Sequence, residues 1–114
     1  MDTIKKNTYF VDIDGTIFIY RKFETYTSSE AVVIESTKEF LLNARKEGHT
    51  IILTTARPTS LRLHTEYELE VNDIPYDQLI MDLGRGPRYL INDMDPNKPG
   101  ERAICYNLKR DEGI

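Results

Sequence analysis

The chain has 114 residues and a mass of 13.3 kDa, with 39% apolar and 30% charged residues. That composition excludes collagen-like, disulfide-scaffold and disordered classes and points to one soluble domain spanning residues 1–114. Fifteen Lys+Arg against nineteen Asp+Glu give a net charge of −4, which opposes non-specific nucleic-acid binding and a polybasic membrane-surface role. A single cysteine, Cys105, excludes an intrachain disulfide and a cysteine-rich metal site. There is no apolar run of membrane-spanning length and no leader-like N-terminus, so a cytoplasmic location is expected.

In chain order, Thr8 to Ile13 is a short β-rich run that stops at Asp14-Gly15. Glu35 to Lys46 has helical spacing at Phe40, Leu41 and Ala44, and Gly48 sits where a helix ends. Thr50 to Thr54 is a near-continuous apolar strand of the kind buried on both faces. Pro58, Thr59 and Ser60 open a helix that runs to about Val71. Tyr76 to Met81, Arg88 to Ile91 and Arg102 to Tyr106 read as three further strands, with Pro96 and Pro99-Gly100 in the loop before the last. Alternating strands and helices predict an α/β fold, Rossmann-like, with a mainly parallel sheet flanked by helices. One feature conflicts with this: residues 82–87 are too few for a crossover helix between parallel neighbours, which takes about a dozen residues.

In open parallel sheets the ligand site lies beyond the carboxyl ends of the strands. Those ends carry Asp12-Ile13-Asp14-Gly15-Thr16, then Thr54-Thr55-Ala56-Arg57, then Asn92-Asp93-Met94-Asp95. Residues two apart on a strand point the same way, so Asp12 and Asp14 can face one cavity. Two carboxylates repel unless a cation sits between them, and hard oxygen donors suit Mg²⁺, with Asp93 and Asp95 available to complete its shell. Gly15 lets backbone N–H groups approach an anion, and Thr55 adds a hydroxyl before a helix start. Carboxylate, cation, backbone nest, hydroxyl and helix dipole could thus converge on one phosphoryl group.

At these residues the sequence resembles the haloacid dehalogenase-like phosphatase superfamily. Phe10-Val11-Asp12-Ile13-Asp14-Gly15-Thr16 matches its first motif, Ile51 to Arg57 its second, and Leu90-Ile91-Asn92-Asp93 its fourth. The resemblance implies Asp12 as the nucleophile that forms an aspartyl-phosphate, and Asp14 as general acid/base. It implies Thr55 as a holder of a phosphate oxygen. Asp12, the Asp14 carbonyl and Asp93 would be the Mg²⁺ ligands. Gly15, Thr16, Thr55, Ala56 and Arg57 are the expected substrate contacts, Arg57 alternatively anchoring its loop. The third motif's usual lysine is missing, since no lysine lies between Lys46 and Lys98. Arg88, then Arg85, are the expected replacements, ahead of Lys98.

The 41 positions from Asp14 to Thr55 and the 38 from Thr55 to Asp93 are spent on core elements, so a capless, open site is expected. A second subunit of the same chain would be the natural closure. The aromatic segment Phe18 to Tyr26 is either a small flap or a hairpin packed on the core. Arg21 and Lys22 within it are candidate contacts for an anionic substrate. His49 and His64 read as structural, and Cys105 as a buried small hydrophobe. The leading reading is a Mg²⁺-dependent phosphomonoester hydrolase acting on phosphorylated small molecules such as sugar phosphates. The alternatives are a non-catalytic phosphate- or Mg²⁺-binding module and, opposed by the negative charge, a polynucleotide 3′-phosphatase. A receiver domain is disfavoured because its acidic pair and its lysine are not where such a domain has them.

Overall fold

A computed structural model describes residues 6–114. Its regular elements are β1 (Thr8–Asp12), α1 (Glu35–Lys46), β2 (Thr50–Thr54), α2 (Arg62–Val71) and β3 (Gln78–Ile80). Single 3-10 turns occupy Phe23–Thr25 and Thr59–Leu61. The sheet order is β1-β2-β3 and both pairings are parallel. Thr8 to Asp12 stand opposite Thr50 to Thr54, and Ile52 to Thr54 opposite Gln78 to Ile80.

Alternation along the strands decides which face is buried. Val11, Leu53 and Leu79 share a register row and, with Ile51, form the sheet side of the core. Leu41 and Ala44 of α1 and Leu69 of α2 close over them. Right-handed crossovers in the order β1-β2-β3 put both helices on that one face. The other face carries Phe10 and Ile80, which are 50% and 38% exposed. The end of α1 is fixed by its sequence: Gly48 takes φ 87°. His49 N–H then donates to Ala44 C=O at 2.9 Å and Gly48 N–H to Arg45 C=O at 3.0 Å. These are the two bonds of a Schellman stop. Asp77 ties β3 to β2 on both sides, its N–H donating to Ile51 C=O and its Oδ2 accepting from Ile51 N–H, each at 2.8 Å.

The parallel α/β architecture is as the sequence predicts, but the strand count is not. The strand expected over Tyr76 to Met81 shortens to Gln78–Ile80. The strands expected at Arg88 to Ile91 and Arg102 to Tyr106 do not form, and these residues run irregular and largely exposed. β propensity gives a segment the taste for a ladder but not a neighbour to pair with. Cys105 shares that fate and is exposed rather than buried.

Candidate active site

The carboxyl ends of β1 and β2 open into a pocket of about 200 Å³ lined by Asp12, Asp14, Tyr20, Phe23, Tyr26, Thr55, Ala56, Arg57, Arg85, Arg88 and Arg110. A separate depression of about 500 Å³ between Arg45, Glu66, Glu70, Ile74, Pro75 and Tyr76 contains none of the strand-end groups.

β1 delivers Asp12, and the chain then turns sharply. The N–H groups of Thr16, Ile17 and Phe18 all point at Ile13 C=O (3.2, 2.8 and 3.1 Å), and Gly15 N–H donates to Phe18 C=O at 2.7 Å. Gly15 can do this because it takes φ 89°. Thr16 Oγ1 lies 3.4 Å from Asp12 Oδ2. Asp12 stays open to solvent on one side, but partial desolvation by the pocket walls and the charge of Asp14 raise its pKa, opposed by hydrogen bonds from Ile13 and Thr16 and by the charge of Arg88. Arg88 is thus near enough to act on the nucleophile candidate. It is steadied by its own loop, donating at 2.7 Å to both Gly84 and Gly86 C=O.

Asp14 is engaged differently. Arg57 grips it with two bonds, Nε to Oδ2 at 2.9 Å and Nη2 to Oδ1 at 2.7 Å, and Tyr26 Oη donates to Oδ2 at 3.1 Å. Arg57 is itself sealed in, with its side chain 1% exposed. Its Nη1 donates to Thr65 Oγ1 (3.0 Å) and Glu68 Oε1 (2.8 Å) on α2, and its guanidinium lies 4.3 Å from the Tyr26 ring centroid. Burial opposes its charge, but Asp14 and Glu68 more than offset that and raise its pKa further. Arg21 completes the set, with Nη2 on both Glu68 oxygens at 3.0 and 2.8 Å. Arg21 is therefore a buried structural cation, not a free contact for an anion. Burial and Asp14 push the Tyr26 phenol up to about 12, so it stays a donor at neutral pH.

Thr55 is buried. Its Oγ1 accepts from Arg57 N–H at 3.1 Å and its own N–H donates to Ile80 C=O at 3.0 Å. The aromatic segment divides its residues between the two expected roles. Phe18 and Tyr26 pack inside, while Tyr20 and Phe23 stay accessible and line the pocket.

The structure brings Asp12, Asp14, Thr55, Ala56, Arg57, Arg85 and Arg88 together in one pocket, with Gly15 and Thr16 forming its turn. It does not bring Asp93, which lies exposed in the irregular segment. It adds Arg110, which sequence reasoning misses. That guanidinium stacks 4.0 Å from the Tyr20 ring centroid, and its Cγ lies 3.2 Å from where a Cβ on Gly15 would be. No local pattern marks Arg110, because the contact spans most of the chain. Its neighbour Asp111 fastens the segment there, donating its N–H to Gly15 C=O at 2.8 Å and accepting Tyr20 N–H on Oδ1 at 2.7 Å.

A divalent cation does not fit the single chain as it stands. Asp14 has both oxygens on Arg57, Asp93 is elsewhere, and no group of three His, Cys, Asp or Glu side chains is placed for a metal among the described residues.

The fold and pocket define a Rossmann-like α/β protein with its polar groups gathered at the strand ends. The model of the haloacid dehalogenase-like hydrolase family matches residues 9–79. The chain belongs to that family. The match ends before Arg85, Arg88 and Asp93. Among solved structures, a target from Vibrio cholerae is similar at 19% identity and TM-score 0.57, over 76% of this chain and 80% of that one. A chain of the Pnkp1/Rnl/Hen1 complex is similar at 25% identity and TM-score 0.61, over 74% of this chain and 30% of that one. A search of curated proteins returned no match.

Proposed function

We propose that the protein is a phosphomonoester hydrolase for small phosphorylated molecules, sugar phosphates among them, working through an aspartyl-phosphate at Asp12. The observation that carries this reading is that, of the two carboxylates lining the pocket, Asp14 is paired with Arg57 while Asp12 faces a space rich in cations and donors: Thr55, Arg85, Arg88 and Arg110. An Asp12 oxygen attacks phosphorus as the bond to the ester oxygen breaks, and water then cleaves the acyl phosphate to free the carboxylate and inorganic phosphate. The arginines offset repulsion between Asp12 and the incoming dianion. The leaving oxygen needs a proton, and Asp14 is the nearest carboxyl. To donate one it must first be released by Arg57 and Tyr26, which hold both of its oxygens, and take up a proton.

Magnesium belongs to the same proposal on one condition. Asp12 and the Asp14 carbonyl would supply two oxygen ligands, and Asp93 would have to be brought to them for a third. Phosphate release from p-nitrophenyl phosphate and a sugar-phosphate panel tests the function. The wild type turns over, and Asp12→Asn loses activity on the order of a thousandfold or more, as expected when a nucleophile goes. Equal activity in the two proteins contradicts the reading. The Asp14–Arg57 pairing favours one alternative, a phosphate-binding module without turnover. Calorimetric phosphate binding with no hydrolysis across the panel would establish it.

A further inference from the structure

Three surfaces lack a partner among the described residues. The outer edge of β1 has no strand beside it, because β1 ends the sheet. The sheet face bearing Phe10, Ile52 and Ile80 has no helix over it, with Phe10 50% exposed. Parallel sheets ordinarily have both faces covered. Finally, residues 88–108 form a long arm whose Tyr89, Ile91, Ile104 and Tyr106 are 81%, 92%, 63% and 82% exposed. Its two limbs, either side of a turn in which Lys98 N–H donates to Asp95 C=O, have strand composition and no ladder.

The arm cannot satisfy β1 of its own chain in parallel. To run beside β1 it would have to re-enter at the amino end of the sheet, and such a crossover takes a dozen residues or more. Only residues 81–88 are available, and they are pinned at the carboxyl end. Asp82 N–H donates to Arg57 C=O (2.8 Å), Leu83 N–H donates to Thr55 C=O (3.1 Å), and Arg85 and Arg88 line the pocket. The far end of the arm is pinned at the same place by Asp111 on Gly15.

We propose that the arm is exchanged between two copies of this chain in a closed two-fold dimer. Tyr89–Asp93 of one copy lies parallel along the free edge of β1 in the other, and apolar side chains of the arm cover Phe10, Ile52 and Ile80. The lengths match, five residues of limb against the five of β1. In that alignment Ile91 stands beside Phe10, and Asp93 of the partner subunit arrives next to Asp12. The exchange removes an exposed edge and an apolar face at once, both of which are otherwise aggregation hazards, and two-fold closure stops it propagating. It also supplies the carboxylate that the single-chain pocket lacks. Only this last consequence rests on the phosphatase reading.

Cross-linking between differently marked chains tests the exchange. In a Cys105→Ser background, chains carrying Phe10→Cys are mixed with chains carrying Ile91→Cys, unfolded and refolded together, and treated with a short bis-maleimide. A 10-to-91 link between the two kinds of chain is expected, and light scattering of the wild type should give twice the 13.3 kDa chain mass. The paired change Ile91→Glu and Tyr106→Glu touches only exposed positions, so helical circular dichroism should hold while the mass halves. A single-chain mass for the wild type, a dimer without the 10-to-91 link, or a dimer undisturbed by the two glutamates overturns the proposal. None of these readouts uses a substrate, so their failure is separable from failure of the phosphatase reading.

Discussion

Arg57 is the residue on which most of the site's order depends. It joins Asp14 after β1 to Thr65 and Glu68 on α2 while almost wholly buried. Truncating one partner of such a buried pair leaves an uncompensated charge and costs about 3–5 kcal/mol. Arg57→Ala should lower stability by that order in urea unfolding, and Arg57→Lys should recover little, because a lysine cannot make the two-pronged contact with Asp14. The sequence allows Arg57 either to anchor its loop or to meet substrate, and in the folded chain it anchors. The choice turned on Glu68 and Tyr26, distant in sequence, which no local pattern assigns to it.

Asp12 makes the opposite prediction. Its raised pKa means that the folded state holds its proton to higher pH than the unfolded chain does. Stability associated with that proton is present below the ordinary carboxylate range and is lost as pH rises through the folded value. Asp12→Asn should therefore be more stable than the wild type at pH 7, with the gap closing in acid. Urea midpoints across that range check the sign, and an asparagine protein that is less stable at pH 7 would refute it.

Among the elements, the last residues of the chain do more than trail from the fold. Gly113 takes φ 74° and packs on the start of α1, where a Cβ would collide with Ser36 Oγ and press on Ile34 and Thr37. Gly113→Ala should cost about 1–2 kcal/mol from the left-handed backbone alone and, by lifting the segment, draw Arg110 out of the pocket. The expected result is a higher KM for phosphate esters with kcat less affected. Arg110→Gln should reproduce the KM effect without the stability loss. The regular elements before this segment were legible in sequence because each rests on local signals: periodicity for α1, the Gly48 stop, the apolar run of β2. The docking of Asp111 on Gly15 was not, since it depends on a carbonyl freed by a turn at the other end of the chain.

At the scale of the whole molecule, the chain is acidic overall while four arginines line one pocket, and three of them, Arg85, Arg88 and Arg110, stand outside the Arg57–Asp14 ion pair. A local positive field of this kind speeds capture of anions and fades as salt shortens its reach. kcat/KM for a phosphate ester should fall with ionic strength, and replacing Arg85, Arg88 and Arg110 with glutamine should flatten that dependence. The strand-end clusters at Asp12 and Thr55 were readable because parallel α/β topology puts such ends on one side. The cluster at Asp93 was misplaced by the same rule, which assumes a strand paired within its own chain.

The most direct measurement is mass spectrometry of the protein quenched in acid during turnover of a phosphate ester. A phosphoryl adduct on the peptide containing Asp12, absent from Asp12→Asn, is the predicted result. Turnover with no adduct on that aspartate, and with Asp12→Asn retaining the wild-type rate, would contradict the account.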